Sequence, residues 1–205
     1  MSGSGFWGSS PDGRPEGGRM KRLFDLFFSL ALLLALLPVL AFLWAAIRLS
    51  SPGQALHWSK RVGRHNKIFS MPKFRTMRVD TPQVATHLLA SAEVFITPVG
   101  RFLRKTSLDE LPQLWSILKG EMSFVGPRPA LFNQADLIAL RAEAGVDVLL
   151  PGLTGWAQVN GRDELPIPVK VGFDAEYMRR MSLAFDLKIL AMTFVKALCG
   201  EGVAH

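Results

Sequence analysis

An α/β fold, predominantly helical, is what this chain of 205 residues predicts. It opens with a hydrophobic helix–break–helix and continues into a small domain whose amphipathic helices suit a membrane interface. Three observations predict this. Leu26 to Ile47 is an uncharged apolar run with Pro38 near its middle. Beyond it, apolar residues recur at helical spacing in segments separated by Gly and Pro. Ile68–Met77 carries an extended pattern, and Thr154–Arg162 that of a short strand running into a turn, which places short strands among the helices.

The composition narrows the partners. A net charge of +7 favours acidic ones: nucleic acid, anionic lipid or phosphorylated substrates. No nucleic-acid motif is present, and the adjacent hydrophobic segment makes nucleic acid the weaker choice. Cys199 is the single cysteine, so neither a disulfide framework nor a cysteine metal site can form within one chain, which favours a reducing, cytosolic-side location. The four histidines lack metal-ligand spacing, and there is no internal repeat, Walker-type glycine loop or dinucleotide fingerprint.

In chain order, residues 1–19 are rich in Gly, Ser and Pro and predict a disordered tail or a cloning scar. Residues 20–49 hold the apolar segment. As a straight helix the uncharged run would be roughly 33 Å long, enough to span a bilayer. Pro38 opposes a straight helix, and basic residues flank both ends: Lys21 and Arg22 before, Arg48, Lys60, Arg61, Arg64 and Lys67 after. Charges on both sides fit a segment that enters, bends and returns to the cytosolic face, since a spanning helix should be asymmetric in charge. The spanning alternative stays open because proline kinks also occur in spanning helices. Residues 50–205 form the remaining domain. Its basic collar suits anionic headgroups or substrate phosphates equally, and Ile68–Met77 places Lys73 and Arg75 on one face of an extended segment. Helices are predicted over Pro82–Val94, Leu111–Leu118 (apolar stripe Leu111, Leu114, Trp115, Leu118), 130–148, Phe173–Met181 and Leu183–Leu198, with a turn at Pro151-Gly152.

The stretch Ser107-Leu-Asp-Glu-Leu-Pro-Gln113 sets two carboxylates, Asp109 and Glu110, side by side among Arg101, Arg104, Lys105 and Arg128. Adjacent acids among bases suit phosphate chemistry: one carboxylate attacks phosphorus or holds a metal while cations neutralise the oxygens. The plain structural alternative is a capping box, Ser107 to Glu110, at a helix N-terminus. Arg162 is a further candidate phosphate ligand or an ordinary surface arginine.

Taken together these residues resemble the bacterial sugar transferases, the monotopic polyprenyl-phosphate phosphoglycosyl transferases. The resemblance covers Lys21 to Val203. It is carried by the hydrophobic hairpin with Pro38, Ser51-Pro-Gly53, Lys73-Phe-Arg-Thr-Met77, Leu103 to Gln113, Gly126-Pro-Arg-Pro129, Pro151-Gly152, Thr154-Gly155, Gln158-Val-Asn-Gly-Arg162 and Phe185-Asp-Leu-Lys188. The absence of a multi-span region before the hairpin resembles the small members, and Gly161 to Pro166 resembles the branch that handles N-acetylated amino sugars. Two departures stand out: Leu37 where the family often has Ser, and Glu93 and Phe95 where many members have Asp-x-Arg before Thr97.

The resemblance implies a reaction. A UDP-sugar gives its sugar-1-phosphate to a polyprenyl phosphate (undecaprenyl phosphate in bacteria), and UMP leaves. It also implies roles: Asp109 as the covalent nucleophile and Glu110 as the partner of Mg²⁺. Lys73, Arg75, Arg101, Arg104, Arg128, Gln158 and Arg162 are the expected substrate and phosphate ligands, and Pro38 the membrane break. The expected setting is the cytosolic face of the bacterial inner membrane, in contact with phospholipid, and a homodimer is left open. Two other functions fit the residues alone: a basic membrane module without chemistry, and a cytosolic hydrolase of nucleotide sugars.

Overall fold

In a computed structural model, residues 17–81, 92–161 and 165–199 are described. Helix α1 (Gly17–Ala35) and helix α2 (Leu37–Ser50) meet at Leu36 with a bend of 61°. Pro38 lies in the first turn of α2, where its missing N–H costs no helical bond. The ladder resumes on both sides of the break, Leu36 N–H to Leu32 O at 2.9 Å and Leu40 N–H to Leu36 O at 2.8 Å. Gly17 to Arg19, predicted within the tail, belong to α1, because the residues just after them are fastened to the domain. Lys21 Nζ donates to Val125 O, and Arg22 donates to the carbonyls of Ile117 and Leu118.

Among the described residues no single helix is long and apolar enough to cross a membrane, but the bent pair together has the length and composition. Both arms return to the same body. Phe24, Leu33 and Leu36 pack on the main core, and Leu43 and Ile47 are buried against Phe74 and Leu103. The other side of the bend exposes Phe27, Leu34, Leu37, Phe42 and Trp44, each more than half accessible.

Strands β1 (Leu56–Val62) and β2 (Ile68–Phe74) form an antiparallel hairpin that sets His57 opposite Lys73. Then follow α3 (Ala92–Phe95) and α4 (Pro98–Thr106), the latter capped by the Thr97 hydroxyl, which accepts the Gly100 N–H at 2.9 Å. A 3-10 helix (Leu108–Gln113) runs directly into α5 (Leu114–Lys119). Strand β3 (Ser123–Val125) pairs in parallel with β4 (Gly152–Thr154), with α6 (Ala135–Glu143) and a 3-10 turn (Val146–Val148) between them. Helices α7 (Trp156–Val159), α8 (Ile167–Arg180) and α9 (Leu183–Cys199) close the fold. Met71, Ile117, Met122, Val125, Tyr177 and Ile189 form the centre of the core.

The mostly helical α/β expectation therefore holds, with corrections. The helix predicted over 130–148 is split at Gly145, whose φ of 69° ends it. Where a short strand running into a turn is predicted from Thr154 onward, β4 ends at Thr154 and α7 follows, so the Trp-Ala-Gln-Val segment is helical rather than extended. Helix α8 begins earlier than Phe173 because Pro168 sits in its first turn, where proline is favoured. Trp115, predicted in an apolar stripe, is half exposed, and Ile117 takes the buried place. Most of the Pro82–Val94 helix lies outside the described residues.

Candidate active site

Asp109 and Glu110 sit in the 3-10 helix ahead of α5, not in the α-helix itself. The capping box does not form. Ser107 adopts a left-handed conformation (φ 56°), terminates α4 and makes no side-chain cap. The turn is braced from below: Leu111 and Leu108 pack with Leu103 and Phe74, while Gln113 and Leu114 are buried. Two carboxylates are therefore presented side by side by a short, tightly wound segment rather than by a helix terminus.

Strand β2 packs against this turn and brings in Lys73, whose Nζ lies 2.7 Å from Glu110 Oε1. Burial pushes Glu110 upward, but the charges of Lys73, Arg128 and Arg61 outweigh it and hold the carboxyl below its ordinary value. Asp109 goes the other way. Burial raises it, and the Glu110 charge adds to the rise, with Lys73 and Arg104 pulling back. Arg104 is held beside Asp109 by a bond from its Nε to Thr76 Oγ1 at 2.9 Å.

Arg128 comes from the Gly126–Pro129 loop, which is fixed from two sides. Gly126 N–H bonds Thr154 O and Gly152 N–H bonds Pro127 O, both at 2.9 Å. The backbones touch so closely that a Cβ on Gly152 would lie 2.1 Å from Gly126 N, and one on Gly155 would lie 2.1 Å from Gly126 O. Behind the loop, Arg141 donates to Arg128 O at 2.8 Å while its Nε and second amino group grip Asp174, a buried pair. Arg61, on β1, donates to Pro129 O at 3.2 Å and to Ser59 Oγ. A small pocket results, lined by Arg61, Lys73, Glu110, Gln113, Arg128 and Gly152 among others.

Not every expected residue arrives there. Arg75 instead holds the turn after α2, donating to Pro52 O, Ser51 O and Ser51 Oγ. One residue beyond the end of β2, its side chain follows the Ser51–Gly53 turn rather than the acid pair. Arg101 is exposed on α4. Gln158 uses its amide N–H on Leu153 O at 3.2 Å and does not line the pocket. Arg162 lies outside the described residues. Arg61 and Gln113 line the pocket without having been expected there: in the sequence Arg61 is one charge of the basic collar and Gln113 the end of a motif. The pair of adjacent cations Lys60-Arg61 before a Gly turn was the available signal for Arg61, because neighbours on a strand point to opposite faces.

The family comparison decides between the alternatives. A model of the bacterial sugar transferases matches residues 17–200. The chain belongs to that family. It is 38% identical over 201 residues to the undecaprenyl-phosphate galactose phosphotransferase of Salmonella typhimurium, covering 89% of this chain and 41% of that protein. It is 41% identical to EpsL, an uncharacterized sugar transferase of Bacillus subtilis, covering 90% of each. It is 39% identical to the UDP-glucose:undecaprenyl-phosphate glucose-1-phosphate transferase of Escherichia coli, covering 86% of this chain and 40% of that one. The chain thus spans nearly all of EpsL and about two fifths of the Salmonella and Escherichia proteins. Members of this family are sugar-phosphate transferases, and the acid pair of this transferase lies in the segment that carries the match.

The family pattern also implies Mg²⁺ at Glu110. The residues fit it: Glu110 stays ionised and offers hard oxygen. Among the described residues no group of three or more His, Cys, Asp or Glu could hold a metal. Glu110 would hold Mg²⁺, and the remaining ligands would have to come from substrate phosphates and water.

Proposed function

We propose that this transferase moves a sugar-1-phosphate from a UDP-sugar, an N-acetylated amino sugar by its Gly161–Pro166 segment, to a membrane polyprenyl phosphate. Asp109 acts as a covalent nucleophile. One Asp109 oxygen attacks the β-phosphorus of the donor. The bond from that phosphorus to the bridging oxygen breaks, and UMP departs with the electron pair. A polyprenyl phosphate oxygen then attacks the same phosphorus, the aspartyl–phosphorus bond breaks, and the carboxylate is restored. Mg²⁺ held by Glu110 would neutralise the charge that develops on the departing phosphate.

The observation that carries this is the division of labour within the acid pair. Lys73 and the arginines hold Glu110 ionised, while burial makes Asp109 the more basic and so the stronger nucleophile of the two. Arg104 stands beside Asp109 to receive charge on the transferred phosphoryl group. The bent apolar pair α1–α2 supports a re-entrant seat in the inner membrane with the domain on the cytosolic face, since both arms pack on one body and the exposed side of the bend is apolar.

Mixing the detergent-solubilised protein with its UDP-sugar, without lipid, tests the covalent step. About one UMP per active site is expected, with a sugar-phosphate mass on the peptide holding Asp109 and parallel double-reciprocal plots in steady state. If UMP appears only when polyprenyl phosphate is added and no adduct can be trapped, the lipid attacks directly and Asp109 is demoted to a base or metal ligand.

A further inference from the structure

We infer that Arg48 and Arg75 form a seat for the phosphate of an anionic membrane phospholipid, at the turn that closes α2. The inference rests on the membrane seat proposed above for the bent pair and not on the covalent chemistry.

Both guanidinium groups close on the same three residues. Arg75 donates to Pro52 O, to Ser51 O at 3.0 Å and to Ser51 Oγ at 2.8 Å, while Arg48 donates to Gly53 O at 3.3 Å. The fit is tight, since a Cβ on Gly53 would strike a terminal nitrogen of Arg75. Two cations therefore share one short turn. They are near enough that burial and the Arg48 charge together hold Arg75 below its ordinary value.

No acid offsets this pair. The chain has neither Asp nor Glu from Leu26 to Val79, and the next acid, Asp80, is taken by Arg78 at 2.7 Å. Among the described residues neither Arg48 nor Arg75 has a carboxylate partner. The carbonyls of the turn supply only partial charge, and Arg75 Nε is buried without an acceptor. Two guanidinium groups left unbalanced favour an anion, and their bonds to phosphate oxygens are charge-assisted.

Position selects which anion. The phosphates of the reaction belong at the acid pair, and neither arginine lines that pocket. The turn follows directly on the apolar helix instead. Leu49, next to Arg48, is 89% exposed, and Trp44, one turn earlier, is half exposed with the Arg48 guanidinium 5.7 Å from its ring centre. An exposed leucine and a tryptophan beside an arginine suit headgroup depth, where indole rings settle and arginine stems lie on apolar surface with their charge among the phosphates. A phospholipid phosphate there balances the pair and fixes the end of α2 at that depth. A zwitterionic lipid brings a cation of its own to the same place, so the seat prefers a lipid with net negative charge.

Native mass spectrometry of the whole chain in detergent, offered equal amounts of phosphatidylglycerol and phosphatidylcholine, reads the seat. The wild type is expected to retain phosphatidylglycerol in preference. Arg48→Gln leaves the Arg75 bonds to the turn intact and is expected to lose roughly fivefold of that preference, the worth of one cation at a membrane surface. Lys67→Gln removes the same charge at the far end of the β1–β2 hairpin and is expected to match the wild type. Equal retention of the two lipids by the wild type overturns the inference, as does the same preference in Arg48→Gln and Lys67→Gln. Kinetics separate the acceptor lipid from the bulk lipid. In phospholipid-free detergent the KM for undecaprenyl phosphate is expected to be the same in Arg48→Gln and the wild type, and a fivefold rise would give the seat to the acceptor and overturn the assignment. In each of these failures the Asp109 adduct still forms, so the proposed reaction stands or falls separately.

Discussion

Asp109 and Glu110 are sequence neighbours that meet different surroundings. Glu110 faces Lys73 at 2.7 Å and feels Arg128 and Arg61, whereas Asp109 is dominated by burial. Two like charges in adjacent positions would otherwise titrate together, and the asymmetry gives each a separate task. Asp109→Asn is nearly isosteric and is expected to keep the fold while lowering turnover roughly a thousandfold or more. Circular dichroism and UMP release measured on the same preparation check both halves of that expectation. Glu110→Gln is expected to leave Lys73 in place but to abolish the response to added Mg²⁺, read as a flat titration of rate against metal. Much of this scale was legible beforehand. The acid pair, Lys73, Arg104 and Arg128 were expected because each stands in a local motif, and the packing of β2, α4 and the Arg128 loop around the turn brings them together. Arg75 and Arg101 could not be assigned from spacing, since the direction of a side chain at a strand end or on a helix depends on what packs beside it.

At the scale of elements, the first helix is bolted to the domain by charges that the sequence presents as a flank. Lys21 bridges Val125 O and Asp186, and the Tyr177 hydroxyl donates to Asp186 Oδ1 at 2.7 Å and to Val125 O at 3.1 Å. Asp186 is almost wholly buried, although it stands among charged residues in an amphipathic helix. Asp25, on α1, accepts the Phe124 N–H at 3.1 Å, so α1 holds β3 just before the Arg128 loop begins. Removing Lys21 leaves Asp186 short of a cation in an apolar place. Lys21→Met is expected to cost about 3 kcal/mol, roughly 6–12 °C in the melting temperature of a domain this size, measured in detergent by differential scanning fluorimetry.

Tyr177 adds a dependence on pH. Burial, the Asp186 charge and the hydrogen bond to it push the phenol well above its ordinary value of 10.0. The folded state thus holds the proton more tightly than the unfolded chain. The stability this contributes is complete below pH 10.0 and is lost as the pH rises above it. The wild type is expected to lose about 1.4 kcal/mol more per pH unit above that point than Tyr177→Phe does. Parallel denaturant titrations between about pH 9 and 11 decide it; equal slopes for the two proteins would remove Tyr177 from the account.

For the whole molecule, the decisive feature is that both arms of the bent pair come home to one body. Lys21 and Arg22 at the start of α1 and Ile47 near the end of α2 are held by the same domain. A straight spanning helix would carry one end some 30 Å from the other, beyond the reach of these contacts. Cysteines placed before Lys21 and after Ser51 are therefore expected to react with an impermeant reagent in inverted membrane vesicles and not in intact cells. Labelling of the first position from outside the cell would establish a spanning segment instead.

By itself the sequence determined what is local or periodic: the apolar run with its proline, the acid pair among cations, the succession of amphipathic helices and, through ordered motifs, the family. These survive because helix periodicity, proline geometry and short motifs act over a few residues. The tertiary structure decided the rest. It turned Ser107 into a helix terminus rather than a cap, drew Arg75 to the turn after α2, buried Asp186, and brought Arg61 and Gln113 to the pocket. Each of those outcomes depends on which surfaces meet across long stretches of chain, where a charged group stays buried only if a distant partner arrives to satisfy it.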